Sequence, residues 1–136
     1  MASEGNQWAG MRAWRYGADE ISLWWAPGPT EPLLLSNAIV MLEATHDPDK
    51  PPRVLAVEAA NWQGRPAFLF REDWYEGRAG LEGGQAQVWV VQGDDYWLYV
   101  LRMRTIRPPG AAPTPGPESI SPLLREVGQT FRFQKR

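Results

Sequence analysis

The sequence predicts an α+β domain, an antiparallel sheet of about six strands with helices packed on its faces, in the order β-β-α-β-β-β-β-α-β. Three observations lead to this fold class. Short segments rich in β-branched and aromatic residues are separated by brief turns, and short connections make neighbouring strands antiparallel. Residues 31–45 repeat their apolar side chains with the period of a helix. A shorter helical segment follows a proline-rich stretch near the C-terminus.

The first predicted elements are a hairpin and a helix. Residues 12–16 and 21–25 are β-prone, and Gly17 and Asp19 favour a turn between them. Thr30 is a suitable N-cap for the helix, because its hydroxyl can accept a hydrogen bond from a first-turn amide, and Pro32 suits the first turn. An apolar face predicts a largely buried helix: Leu34, Leu35, Ala38, Ile39 and Leu42 share that face, and Val40 and Met41 widen it.

Four further strands form a predicted meander, since only short turns separate residues 53–61, 66–75, 85–92 and 95–106. The segment 107–121 then holds five prolines in fifteen residues, which excludes regular structure. Ser121 caps a predicted helix over residues 122–130, and residues 131–133 predict a short last strand. We divide the chain into an N-terminal tail, residues 1–11, and a single domain, residues 12–136.

Composition and charge exclude some kinds of binding site and partner. The chain has no cysteine, which excludes disulfides and thiolate metal sites. Residues 1–100 carry 7 basic and 14 acidic side chains, whereas residues 101–136 carry 7 basic and 2 acidic ones. Positive charge is therefore in excess only near the C-terminus, and no RRM or KH signature is present, so we expect no nucleic-acid partner.

The chain has no apolar run long enough for a membrane helix, so we expect no membrane insertion of its own. Its first residues also lack the basic start and apolar run of a signal peptide. Cytoplasmic residence is the resulting expectation.

Candidate catalytic chemistry centres on His46, the only histidine, which has Glu43, Asp47 and Asp49 nearby. It can serve as a general base or a cation ligand, but its spacing matches neither HExxH nor an EF-hand. The end of a helix also favours a histidine through the helix dipole. No serine lies in a G-x-S-x-G context. We therefore expect no enzyme, no metal and no cofactor.

The segment from Tyr96 to Arg104 combines aromatic and cationic side chains. Successive residues of a strand point to opposite faces. Both faces of this strand carry apolar side chains in its first half, which predicts a strand covered on both sides. Trp97 and Leu101 are therefore expected in the core. The arginines at its end are expected where one face meets water.

Eight tryptophans are unusual for one small domain. Trp and Tyr are the residues that anchor protein interfaces. We assign Trp89 and Trp97 to the core, and Trp8, Trp14 and Trp62 to a docking surface. Trp8 falls in a predicted tail and Trp62 in a predicted turn. Arg102, Arg104 and Arg107 complete the predicted partner-binding set, since an acidic partner or the acidic N-terminal part of the chain can pair with them.

The element order resembles the PsbP/Mog-type fold of the PsbP-like family. "WQGRPAFLFRED" (62–73) resembles a turn and strand of its meander, and "DDYWLYVLRMR" (94–104) resembles its final meander strand. "ISPLLREVGQTFRF" (120–133) resembles its closing helix and aromatic strand. The resemblance is one of pattern over most of residues 12–133. It implies a fold whose members mostly bind proteins or stabilise assemblies rather than catalyse.

The resulting expectation is a non-catalytic protein-interaction module, an accessory or assembly subunit of a larger complex. Two alternatives stay open. One is a binder of a small apolar ligand held between the sheet and the helix. The other is an acidic neutraliser of a basic partner protein, which the net charge of −2 and the acidic first hundred residues favour.

Overall fold

A computed structural model describes residues 9–28, 30–75, 83–93, 96–107 and 126. They form a six-stranded antiparallel sheet and one helix. The elements, in chain order, are β1 (Gly10–Tyr16), β2 (Asp19–Ala26), α1 (Leu35–Ala44), β3 (Arg53–Trp62), β4 (Arg65–Trp74), β5 (Gly84–Gln92) and β6 (Leu98–Thr105). Apart from Glu126, the predicted closing helix and the last strand lie outside the described residues, as does the proline-rich segment beyond Arg107.

The strand order is β1-β2-β6-β5-β4-β3. The predicted meander is confirmed, because β3, β4, β5 and β6 pair consecutively with antiparallel neighbours. The N-terminal hairpin continues the sheet, since β2 pairs with β6 along its whole length. The chain must therefore cross from β2 to β3 at the opposite edge, and α1 lies within this crossover.

Turn chemistry fixes the hairpins. Gln63 and Gly64 connect β3 to β4 with φ values of 53° and 90°, and positive φ at both central residues is the geometry of a type I′ turn. Gly17, with φ 61°, supplies the left-handed residue between β1 and β2. Both turns lie where the sequence predicts them.

Each face of the sheet carries its own apolar core. On the α1 face, Leu33, Ala38 and Leu42 pack against a buried set from three strands, β4, β5 and β6: Phe70, Ala86, Val88, Val90, Leu98 and Val100. The opposite face buries Ile21, Trp62, Ala67, Val91, Tyr99, Leu101 and Met103. The expectation that the strand at 98–103 is covered on both faces is therefore confirmed.

The helix departs from its prediction in two respects. It begins at Leu35 rather than near Thr30, and Leu34 occupies the N-cap without a side-chain cap. The side-chain amide of Gln92 explains the late start: its oxygen accepts from the Leu33 N–H at 3.0 Å and its Nε2 donates to the Glu31 carbonyl at 2.6 Å. These bonds tie residues 31–33 to the end of β5.

The prediction of a largely buried helix is also wrong. Only Ala38 and Leu42 are buried within α1. Met41 is partly buried, and four other large apolar side chains of this region are exposed: Leu34, Leu35, Ile39 and Val40. A single helix lying on a sheet buries one narrow stripe, so the wide apolar face read from the sequence remains partly in contact with water.

Candidate functional site

A buried ion pair between Glu72 and Arg102 lies at the centre of the candidate site. Arg102 donates from Nε to Glu72 Oε1 at 2.8 Å and from Nη2 to Glu72 Oε2 at 3.1 Å. The Glu72 side chain is fully buried, and that of Arg102 is 9% exposed. The prediction that Arg102 marks where the face meets water is therefore wrong, because this carboxylate neutralises it inside the domain.

Three further side chains complete the cluster. The Nε2 atom of His46 lies 2.6 Å from Glu72 Oε2, and the indole Nε1 of Trp74 donates to Glu72 Oε1 at 2.9 Å. Thr45 Oγ1 accepts from Arg102 Nη2 at 2.6 Å and donates to the Leu42 carbonyl at 2.6 Å. Thr45 and His46 follow α1 directly, so the cluster ties the end of the helix to β4 and β6.

The charges in this cluster control the ionisation of Glu72. Burial by itself raises the pKa of this carboxyl, because it disfavours the charged form. The hydrogen bond from His46 and the charge and hydrogen bonds of Arg102 outweigh burial and lower the pKa of Glu72 to about 2. Glu72 is therefore ionised at any pH the cell provides.

Arg104 lies beside the cluster on the same face. It donates from Nη2 to Glu20 Oε1 at 3.0 Å, and its guanidinium carbon lies 4.6 Å from the centre of the Trp74 ring. A cation at this distance is attracted by the ring face. A cavity of about 230 Å³ opens here, and its walls include Glu20, Ser22, Thr45, Trp74, Arg102 and Arg104.

The side chains of the cluster bond mainly to one another. A general base needs a free acceptor near the substrate. His46 is instead bonded to Glu72, and its side chain is only 7% exposed. Glu43, Asp47 and Asp49 do not join it, and within the described ranges no three His, Cys, Asp or Glu residues converge to hold a metal ion.

A second candidate surface is the edge strand β1. Every residue from Met11 to Tyr16 is exposed. Trp14 is 48% exposed and Tyr16 is 78% exposed, which is high for side chains of this size. Arg12 and Arg15 lie between them, so the strand is aromatic and cationic at once. In the described sheet it pairs only with β2, through the register from Gly10↔Trp25 to Tyr16↔Asp19.

The structure separates the predicted partner-binding residues. Trp8 lies outside the described residues, and Trp14 is exposed on β1. Trp62 is 7% exposed and packs edge-to-face on Trp89, with ring centres 4.8 Å apart.

The three arginines of the set lie on or just after β6, but they do not share one open surface. Arg102 and Arg104 are held in ion pairs on the α1 face. Arg107 exchanges backbone hydrogen bonds with Gly83 at 2.6 and 2.8 Å. Of the two predicted tryptophans that the structure describes, Trp14 is exposed and Trp62 is buried.

Sequence reasoning missed Glu72, although a signal was present. In "PAFLFREDW" the residues Phe68, Phe70, Glu72 and Trp74 alternate onto one face, so the glutamate occupies an inward position. Arg102 likewise follows Leu98 and Val100 on the inward face of β6. An acid and a base at inward positions of two strands in one sheet are candidates for a buried pair.

No described helix has the length and apolar character that crossing a membrane requires. Comparison of the chain with protein-family models and with curated proteins finds no match.

Proposed function

We propose that this protein is a non-catalytic interaction module, an accessory or assembly subunit that docks onto another protein through strand β1. The exposed edge strand carries the proposal. It offers the backbone donors and acceptors of an edge strand together with the side chains of Met11, Trp14 and Tyr16. Folded proteins usually protect such an edge, because it readily pairs with another strand.

The chemistry of β1 favours an extended acidic segment as the partner. A strand added to a sheet edge gains backbone hydrogen bonds, and alternate side chains supply specificity. β1 contains two arginines and no acidic residue. A partner strand with Asp or Glu opposite Arg12 and Arg15, and apolar residues opposite Trp14 and Tyr16, would complement it in both charge and surface.

The buried polar cluster supports a structural reading of the domain. Its members satisfy one another: Glu72 accepts from Arg102, His46 and Trp74, and Arg102 also donates to Thr45. Such a network fixes the end of α1 on the sheet. A rigid scaffold of this kind suits a docking module, since little conformational freedom is then lost on binding.

The alternative of an apolar-ligand binder has less support. Between α1 and the sheet, the described core is filled by Leu33, Ala38, Leu42, Phe70, Val88 and Val90. The 230 Å³ cavity lies beside this core, not between α1 and the sheet core, and charged residues such as Glu20 and Arg104 stand among its apolar lining residues. Neutralisation of a basic protein also fits the acidic part of the chain, but the exposed edge β1 is itself basic.

The test is a quantitative comparison of partners in the source cell. Tagged wild-type protein and a Trp14→Ala/Tyr16→Ala variant are crosslinked mildly, purified and analysed by mass spectrometry. We expect a defined set of proteins to be enriched with the wild type and lost with the variant. The matched control is Val40→Ala, which removes an exposed apolar side chain from α1 instead.

Three outcomes of this experiment count against docking through β1. The variant retains every wild-type partner, the control loses the same ones, or the wild type purifies without a specific partner. To show that the variants are folded, their unfolding curves are compared with that of the wild type.

A further inference from the structure

We infer that strand β3 is a second docking surface, and that its partner is β3 of another copy of this chain. β3 lies at the edge of the described sheet opposite to β1. Its first seven residues, Arg53 to Ala59, are all exposed. Three large apolar side chains among them are open to water: Val54, Leu55 and Val57.

An irregularity in β3 gives this segment an unusual face pattern. The register with β4 shifts between Val54 and Ala56, so Leu55 is an extra residue, as in a β-bulge. Val54 and Val57 pair with Glu72 and Phe70, whose side chains point to the α1 face. The bulge therefore places two valines, three positions apart, on one face.

The neighbouring charged residues take the other face. Arg53 pairs in register with Asp73, and Glu58 pairs with Leu69. Both partners are an odd number of positions from Phe70, so they lie on the face away from α1. The segment Arg53–Glu58 therefore has the same pattern from both ends. The end residue is charged and lies on the far face, and the next residue inward is a valine on the α1 face.

This symmetry makes the segment self-complementary in an antiparallel pair. When Arg53 of one copy lies opposite Glu58 of the other, Val54 lies opposite Val57 and Leu55 opposite Ala56. Because the dimer has two-fold symmetry, each of these residue pairs occurs twice in the contact. The Arg53/Glu58 and Val54/Val57 pairs each share a face, as antiparallel strands require, and opposite charges directly across a pair are stabilising.

Both charges are available for this contact. The exposed side chain of Glu58 makes no hydrogen bond or ion pair with any described residue. Arg53 donates from Nη2 to Asp73 Oδ2 at 2.6 Å, and its side chain is still 70% exposed. A guanidinium has five N–H donors, so Arg53 can bridge Asp73 and the Glu58 of a second copy.

The same reasoning argues against self-pairing through the other edge. β1 has only cationic charges, so two copies of β1 in antiparallel contact bring four arginines to one seam without a carboxylate to pair with them. Like charges across strands are destabilising. A β3–β3 pair leaves β1 open, and the two surfaces can therefore act at once.

A six-residue edge contact is small, so we expect a weak dimer. Interfaces of less than about 1,200 Å² belong to transient complexes. Additional contact is available on the far face, where a cavity of about 450 Å³ is lined by Ala56, Glu58, Leu69 and Arg71. In the paired register, Leu55 of the second copy lies beside Ala56 at this cavity.

Single cysteines test the register directly, because the chain has none of its own. Val54→Cys and Val57→Cys variants are prepared separately, mixed at high concentration and oxidised mildly. We expect a disulfide-linked dimer of one variant with the other. Each variant alone should yield little, because residues three apart along a strand are about 10 Å apart, beyond the reach of a disulfide.

The matched control is Val40→Cys, an exposed cysteine on α1, mixed with Val54→Cys. The inference is overturned when the Val54/Val57 mixture gives no more dimer than this control. It is equally overturned when each variant crosslinks with itself as readily as with the other, because the contact then lacks the proposed register.

Sedimentation equilibrium provides a second readout without oxidation. Glu58→Arg places two arginines opposite each other, and we expect association at least tenfold weaker than in the wild type. Glu43→Arg makes the same charge change on α1 and should leave association unchanged. A wild type that stays monomeric at several hundred micromolar, or a Glu58→Arg variant that associates normally, contradicts the β3 pairing.

Discussion

Glu72 and Arg102 meet across an intervening strand. Glu72 lies on β4 and Arg102 on β6, and two N–H groups of the guanidinium reach both carboxylate oxygens at 2.8 and 3.1 Å. The residue of β5 in register with Glu72 is Ala86, which is buried and small. Arg102 is in register with Val88 instead, so the two side chains meet diagonally above β5. Two strand spacings amount to about 10 Å, so only long side chains can close this gap.

We expect the pair to be strongly coupled. Glu72→Gln or Arg102→Met leaves the other group as a buried charge without its counter-ion, which costs about 3–5 kcal/mol. The double variant removes both charges, and its loss of unfolding free energy should be clearly smaller than the sum of the two single losses. Urea unfolding of the four proteins measures the coupling, with Glu43→Gln as an exposed control expected within about 0.5 kcal/mol of the wild type. Additive losses would contradict a coupled pair.

The depressed pKa of Glu72 predicts acid sensitivity. Its ordinary value is 4.5 and its value in the folded protein is about 2. The stabilisation is complete above the unfolded pKa, and it is lost as pH falls through the folded pKa. We therefore expect about 3 kcal/mol to disappear between pH 4.5 and 2. Unfolding free energies measured over this range should fall more steeply for the wild type than for Glu72→Gln, and equal slopes would contradict the assignment.

Thr45 is expected to matter through its hydroxyl. Thr45→Val keeps the shape but removes one of the two acceptors of Arg102 Nη2, which leaves one N–H of the buried guanidinium unsatisfied. The expected loss is about 1–3 kcal/mol in chemical denaturation. Thr45→Ser retains the hydroxyl and serves as the control. A valine variant as stable as the serine variant would show that water or another group replaces the acceptor.

Trp62 and Trp14 should respond differently to truncation, although both were predicted to bind a partner. Trp62 is buried against Trp89, so Trp62→Ala should cost about 3–5 kcal/mol of folding stability. Trp14 is exposed, and Trp14→Ala should change stability by at most about 1 kcal/mol. Thermal and urea unfolding of the two variants measures this difference. Similar losses in both would place Trp14 in the core as well.

Two glycines with positive φ provide a matched test of close packing. A Cβ on Gly84 would lie 2.4 Å from the Thr105 carbonyl oxygen, and its φ is +125°. Gly64 also has positive φ, at +90°, but nothing lies within 4 Å of a Cβ built there. Gly84→Ala must therefore displace β6 backbone, whereas Gly64→Ala should cost only about 1 kcal/mol of backbone strain. Unfolding curves of the two variants measure this difference. Equal losses of stability in both would contradict the prediction.

The sequence predicted local structure well because local patterns carry it. Alternation and turn residues placed six strands and the turn at Gln63 and Gly64, with strand ends within about three residues of those found. The helix start was wrong for a non-local reason. Gln92 lies about sixty positions from Glu31 and Leu33, yet its amide binds both. The preferences of Thr30 and Pro32 for a helix start depend on neighbouring residues only, so they cannot predict a contact with Gln92.

The candidate sites depended still more on tertiary structure. The sequence by itself determined which residues alternate to which face, the antiparallel meander and the cationic, aromatic character of β1. Only the folded sheet decided that β2 pairs with β6, that β1 and β3 become edges, and that Arg102 meets Glu72. The physical reason is that burial and charge pairing depend on which distant strands become neighbours, and strand order is a property of the whole chain.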